Sequence, residues 1–84
     1  MIEIYGKSNC GWCKKAVALA DQYMLQYRYH NCDDSSHALL LKERFPEVKT
    51  VPQIWWNDKH LGGYQQFAKE IEETMGSNYG QEVF

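Results

Sequence analysis

The sequence predicts an α/β domain with the element order βαβαββα, in which three helices flank a four-stranded mixed sheet. Three observations lead to this prediction. The first half of the chain alternates strand and helix patterns, which is typical of a parallel sheet. A hairpin pattern then follows, with a tight turn between two short strand-like runs. No repeat or linker-like stretch divides the 84 residues, so we expect a single domain over residues 1–84.

The spacing of apolar residues sets the bounds of each element. Ser8 and Asn9 are candidate caps for the first helix, and the run Asp33–Ser36 supplies a turn and an N-cap for the second. Pro46 ends that helix because its ring excludes a helical conformation from the preceding residue. The predicted strands are 2–5, 27–32, 51–56 and 60–61; the predicted helices are 11–24, 37–45 and 64–75, followed by Gly76 as a C-cap and 77–84 as a frayed tail.

Composition restricts the class of protein. The chain is 44% hydrophobic and 14% aromatic, too apolar for disorder, yet no apolar run approaches the roughly 20 residues of a membrane span. The net charge of −2 includes no basic stripe, so we expect neither nucleic acid nor a membrane as partner. Met1 leads directly into a strand pattern, without a signal-peptide pattern, and three cysteines are too few for a secreted disulfide framework. We therefore expect a cytoplasmic protein.

The segment Cys10-Gly11-Trp12-Cys13 lies between the first strand and the first helix. Residues three apart share one helix face, so the two sulfurs can close a disulfide with little backbone movement. Unpaired N–H groups and the positive end of the helix dipole favour a thiolate, which predicts a depressed pKa for Cys10. This spacing beside a βαβ pattern indicates a redox pair. Three flanking lysines add positive potential: Lys7, Lys14 and Lys15.

Other interpretations of the cysteines stay open. The pair could be structural, or it could belong to a zinc module with some of His30, Cys32 and His37, although that spacing matches no usual zinc finger. Cys32 is the odd third cysteine. We expect it to be a small, half-buried strand residue, with metal ligand and regulatory thiol as the lesser alternatives.

Three separated motifs in order resemble glutaredoxins over nearly the whole chain. They are Lys7-Ser8-Asn9-Cys10 with the cysteine pair, Thr50-Val51-Pro52-Gln53-Ile54, and Gly62-Gly63 before the last helix. The resemblance is to small dithiol glutaredoxins of bacterial or bacteriophage type, in the thioredoxin-like superfamily. It implies a thioredoxin-like fold, a monomer, and a thiol-disulfide oxidoreductase that uses glutathione as reducing co-substrate, without a tightly bound cofactor. Cys10 would be the nucleophile and Cys13 the resolving thiol.

The resemblance also implies a glutathione groove. Pro52 is expected to follow a cis peptide bond, and Val51 to pair its backbone with the cysteinyl part of glutathione. Lys7 would meet the glycine carboxylate, and Trp12 would form a wall of the groove. The other implied glutathione residues are Thr50, Gly63, Tyr64, Gln65 and Gln66. The two glutamines stand where the family usually has an acidic residue that pairs with the γ-glutamyl ammonium.

The implied clients are disulfide-containing or glutathionylated proteins, and the resemblance alone suggests ribonucleotide reductase among them. Gly11 replaces the commoner Pro between the cysteines, which leaves open a different function. In that alternative the protein carries a [2Fe–2S] cluster that is shared between two chains and ligated by two cysteines and two glutathiones. A third alternative is a thioredoxin-like reductant served by its own reductase. The colour of the purified protein and a coupled assay would distinguish these functions.

Overall fold

The structure, a computed structural model, describes residues 1–47 and 50–76. It confirms the predicted element order. The elements are β1 (Ile2–Gly6), α1 (Gly11–Gln22), β2 (Tyr27–Asn31), α2 (Ser35–Arg44), β3 (Gln53–Trp56), β4 (Lys59–Gly62) and α3 (Tyr64–Ile71). A π-helical segment, Glu72–Gly76, continues α3. Gly76, predicted as the C-cap, is the last residue of this segment, and the predicted tail 77–84 lies outside the described residues.

The four strands form one mixed sheet in the order β2-β1-β3-β4. Strand β1 runs parallel to β2 and antiparallel to β3, and β3 pairs with β4 as an antiparallel hairpin. Because β1 lies between β2 and β3, the loop that follows Gly6 and leads to Cys10 leaves from the middle of the sheet. The predicted mixed topology is confirmed.

Alternating strand side chains fill two separate layers of core. One layer lies between the sheet and the pair α1 and α3, and the other lies beneath α2. The first contains Ile2, Ile4, Ala16, Ala20, Ile54, Phe67 and Ile71; the second contains Tyr5, Cys32, Leu41 and Trp55. Trp56 packs against the first layer, so the neighbouring Trp55 and Trp56 face opposite sides of the sheet.

Helix α1 ends two residues earlier than predicted. Met24 adopts a positive φ of 55°, and the N–H groups of Met24 and Leu25 donate to the carbonyls of Asp21 and Ala20. These two bonds form a Schellman motif, which usually places glycine at the left-handed position. The sequence pattern missed this end because a methionine occupies that position.

Other bounds differ as well: α3 ends at Ile71 and not at 75, the ends of β1, β2, α2 and β4 shift by one residue, and three elements start elsewhere. Helix α2 begins at Ser35 because the Asp34 side chain accepts a hydrogen bond from the Ser36 N–H at 2.9 Å and caps the first turn. Strand β3 begins at Gln53 since Pro52 has no N–H to donate to a ladder. Strand β4 is longer than predicted and includes Lys59, because only two residues, both with positive φ, form the hairpin turn. Among the described helices, none combines the length and apolar character needed to cross a membrane.

Candidate active site

A disulfide joins Cys10 and Cys13 at the N-terminus of α1. The two Cα atoms are 5.2 Å apart, within the usual range of about 4.4–6.8 Å. Cys10 is half-buried, whereas the Cys13 side chain is fully buried. An incoming thiol can therefore reach the sulfur of Cys10 but not that of Cys13.

Cys10 itself is the N-cap of α1. Its backbone is extended, and its Sγ accepts the Cys13 N–H at 3.1 Å. The expectation that Ser8 or Asn9 would cap the helix is wrong, because the helix begins at Gly11 and Ser8 has another partner. A sulfur in the cap position receives the free N–H groups of the first turn, which favour a thiolate in the reduced protein.

The loop before Cys10 is held by groups on β2 and the turn that follows it. The N–H and hydroxyl of Ser8 both donate to the carboxylate of Asp33, the N–H at 3.1 Å. These bonds, with a smaller contribution from Lys7, lower the pKa of Asp33. The Tyr29 hydroxyl donates to the Lys7 carbonyl at 3.2 Å, which also accepts the Cys10 N–H. The position of Cys10 thus depends on Tyr29 and Asp33, which follow it by 19 and 23 positions in the sequence.

The Val51–Pro52 segment lies directly beside the reactive cysteine. The peptide bond between these residues is cis, which confirms the expectation for Pro52. Pro52 is buried, and the Val51 carbonyl oxygen lies 3.9 Å from Cys10 Sγ. A cysteine-containing peptide whose backbone is bound alongside Val51 would therefore place its cysteine sulfur close to that of Cys10.

Two clefts meet at Val51. The first has a volume of about 250 Å³ and is lined by Lys7, Cys32, Ala38, Leu41, Lys42, Thr50 and Val51. The second has a volume of about 330 Å³ and is lined by Trp12, Val51, Pro52, Tyr64, Gln65 and Gln66. Together they contain every residue predicted for the glutathione groove except Gly63. Gly63 is the N-cap of α3, and a Cβ there would lie 3.4 Å from Oε1 of Gln66, which lines the second cleft.

Trp12 is exposed at the mouth of the second cleft, with 51% of its surface accessible. Its ring centroid lies 5.4 Å from that of Tyr64, and the Lys15 ammonium lies 4.5 Å from the ring centre. A cation over an indole face is a favourable arrangement, and the contact holds the lysine beside Trp12. Trp12 is therefore a surface residue of the cleft and not part of the core.

Two features of the clefts were not predicted from the sequence. Lys42 lines the first cleft, where it adds a second cation to Lys7. Its position four residues after Ala38 on the cleft-facing side of α2 was the available signal. Gln66 folds back so that its Oε1 accepts the Gly63 N–H at 3.0 Å, and it thus caps α3.

Cys32 is more buried than predicted and lies one residue beyond β2. Burial raises the pKa of its thiol, while Lys7 acts in the opposite direction.

His30, a residue of the zinc alternative, stacks on Tyr5 with ring centroids 4.4 Å apart. Among residues 1–47 and 50–76, no group of three or more His, Cys, Asp or Glu side chains is arranged to hold a metal ion. The zinc interpretation has no support in this part of the chain.

Cys10 in the reduced protein is expected to react with iodoacetamide far faster than the other two cysteines. The pH at which its alkylation rate is half-maximal should lie well below the pKa of about 8.5 of a free cysteine, because the helix N-terminus stabilises the thiolate. Cys13 and Cys32 should be slow since both are buried. Alkylation across a pH series, with each site assigned by peptide mapping, measures this. A Cys10 midpoint near 8.5 would contradict the electrostatic argument.

Comparison with known proteins agrees with this geometry. A sequence model of the glutaredoxin family matches residues 2–61. Glutaredoxin 1 of Escherichia coli is 32% identical over 79 residues, covering 86% of this chain and 93% of the relative. The structure of reduced E. coli glutaredoxin superposes with a TM-score of 0.74 at 31% identity, covering 88% of this chain and 95% of that one.

A more distant match shows the fold alone. The buckwheat glutaredoxin–glutathione complex superposes with a TM-score of 0.73 at 22% identity, covering 92% of this chain and 73% of that one. This chain combines the four-stranded sheet and the three helices with a linked cysteine pair at the start of α1. The chain belongs to the glutaredoxin family and is a thiol-disulfide oxidoreductase with a thioredoxin-like fold.

Proposed function

We propose that this protein uses glutathione to reduce protein disulfides and glutathione mixed disulfides through Cys10 and Cys13. The observation that carries the proposal is the junction of two clefts at Val51, directly beside the accessible sulfur of Cys10. The glutathione bound by the buckwheat relative supports it. Glutathione is extended and carries charges at both ends, and the two clefts extend to either side of the reactive sulfur.

Each part of glutathione has a matching group in the clefts. Lys7 and Lys42 would bind the glycine carboxylate in the first cleft. The backbone of Val51 would pair with the cysteinyl residue, which recognises peptide backbone and places the glutathione sulfur near Cys10. In the second cleft the N-terminus of α3 offers free N–H groups to the γ-glutamyl carboxylate. The remaining wall of that cleft comes from Trp12 and Tyr64.

The order of sulfur exchange follows from the burial of the two cysteines. The Cys10 thiolate attacks one sulfur of a client disulfide, and the other client sulfur leaves as a thiolate. Cys13 then attacks Cys10 from within, which releases the client as a dithiol and forms the disulfide seen here. One glutathione attacks Cys10 and displaces Cys13; a second attacks the bound glutathione sulfur and leaves as glutathione disulfide. Both cysteines are then thiols again.

Two coupled assays test the proposal. With a disulfide substrate, NADPH oxidation through glutathione and glutathione reductase should saturate with glutathione and should exceed the rate supported by thioredoxin reductase. Glutaredoxin potentials of about −200 to −230 mV allow glutathione to serve as the reductant. Activity that depends on thioredoxin reductase alone would overturn the proposal and favour the thioredoxin-like alternative.

The proposal extends to clients and location. Disulfide-containing and glutathionylated proteins are the clients, and ribonucleotide reductase is one candidate on the family resemblance. A glutathione-driven reductase requires a reducing compartment, so we propose the cytoplasm.

Gln65→Asp is expected to lower the KM for glutathione up to about five-fold at low salt, with little change in kcat. An exposed charge pair with the γ-glutamyl ammonium contributes about 0.2–1 kcal/mol, and this remote contact binds ground state and transition state alike. Gln65 is chosen over Gln66 because Gln66 already caps α3. Raising the ionic strength should reduce the gain.

Gln22→Asp is the matched control, because it adds the same charge to an exposed position at the far end of α1. It should leave the KM unchanged. If Gln65→Asp has no effect at low salt, the γ-glutamyl end of glutathione does not bind at this segment.

A further inference from the structure

Gln53 is a buried polar residue that directly follows the cis proline, with 7% of its surface exposed. Its side-chain amide nitrogen donates to the Thr50 carbonyl at 3.0 Å and lies 3.4 Å from the Thr50 hydroxyl. The side chain thus spans the turn and ties the start of β3 to the residue before Val51. A buried amide needs partners for both of its ends.

The other end of the amide has its partner on β4. Gln53 Oε1 lies 2.8 Å from His60 Nε2. The Thr50 carbonyl can only accept, so the Gln53 amide nitrogen must face it and Oε1 must face the histidine. His60 Nε2 therefore carries a proton and donates it. The histidine ring is itself held between Trp55 and Phe45, at centroid distances of 4.4 and 4.5 Å.

The hydrogen bonds that link His60 to Gln53 and Gln53 to Thr50 fix the orientation of the peptide unit between Thr50 and Val51. The Thr50 carbonyl and the Val51 N–H belong to the same planar trans peptide, so they point in opposite directions. Because the Gln53 side chain holds the Thr50 carbonyl toward the start of β3, the Val51 N–H points away from β3. That N–H is the donor that the proposed function uses to bind the cysteinyl residue of glutathione.

We propose that Gln53 and His60 are positioning residues that orient the Thr50–Val51 peptide for glutathione binding. Neither side chain lines either cleft at Val51, so they act through the backbone and not by contact with the ligand. The inference rests on the proposed function and adds to it two residues outside the groove. It predicts a loss of glutathione affinity without a loss of sulfur chemistry, because Cys10 is held by a different loop.

Gln53→Glu tests the proposal with almost no change of shape. The carboxylate still accepts from His60, but it cannot donate to Thr50 and places an oxygen against the carbonyl. The KM for glutathione should rise about tenfold, as expected for the loss of a buried hydrogen bond. The kcat at saturating glutathione and the rate of Cys10 alkylation should stay within about two-fold of wild type. His60→Phe keeps the ring packing but removes the donor, and it should raise the KM about three-fold.

Leu61→Ala is the matched control for a purely structural effect. Leu61 follows His60 on β4, but its side chain packs against the core layer under α1 and α3. It should lower the melting temperature and leave the KM for glutathione unchanged. A wild-type KM in both Gln53→Glu and His60→Phe, or an equal rise in Leu61→Ala, overturns the inference alone. A wild-type protein without glutathione-dependent turnover overturns the proposed function, and the inference with it.

Discussion

Cys10→Ser is expected to abolish all thiol transfer, whereas Cys13→Ser should keep the reduction of glutathionylated substrates and lose the reduction of protein disulfides. Cys10 is half-buried whereas its partner Cys13 is fully buried, so every route begins at Cys10. A serine hydroxyl cannot form the stable anion that attacks a disulfide. The route for glutathionylated substrates needs only Cys10 and a second glutathione, so Cys13 is dispensable for it.

The measurement uses two substrates with each variant, a glutathionylated peptide and a protein disulfide. Because Cys13 is fully buried, Cys13→Ala should accompany Cys13→Ser, since a buried hydroxyl without a partner costs about 1–3 kcal/mol. Both should give the same substrate pattern if the fold is retained, as thermal melting will show. Turnover in Cys10→Ser above the rate without enzyme would remove Cys10 as the nucleophile.

Gly6→Ala is expected to destabilise the protein by about 1–3 kcal/mol, the usual cost of overpacking a core. A Cβ at this position would lie 2.8 Å from Cys13 Sγ and 2.9 Å from Cys13 Cβ. Cys13 cannot move aside in the oxidised protein because it is buried and cross-linked. For a domain of this size, each kcal/mol lowers the melting temperature by about 4–8 °C.

Gly11→Ala is the matched control, since a Cβ there meets no atom within 4 Å. Gly11 is the first residue of α1, and replacing glycine by alanine in a compatible conformation stabilises by about 0.4–1 kcal/mol through the unfolded state. Thermal melting of the oxidised proteins should therefore shift in opposite directions for the two variants. If Gly6→Ala melts with the wild type, the space between β1 and α1 is larger than the structure shows.

Much of the fold was predictable because its signals are local. The alternation in β1, the helical spacing after Gly11 and the turn residues before β4 each act over a few neighbouring positions. The cysteine pair and Pro52 were predictable for the same reason, since each motif is a short run. Element ends were harder to predict. Met24 ends α1 with a conformation usually supplied by glycine, and Asp34 extends α2 by two residues.

The order of elements, the reactive cysteine pair and the Val51–Pro52 segment beside it follow from short stretches of sequence. The packing of the whole chain was needed to show that Cys13 is buried, how deeply Cys32 is buried, and that Lys42 joins Lys7 in one cleft. It also decided that Gln66 caps a helix and that Gln53 links His60 to Thr50. Burial and these hydrogen bonds depend on contacts between residues that are far apart in the chain, so a short stretch of sequence does not reveal them. Periodicity and motif spacing depend only on neighbouring residues.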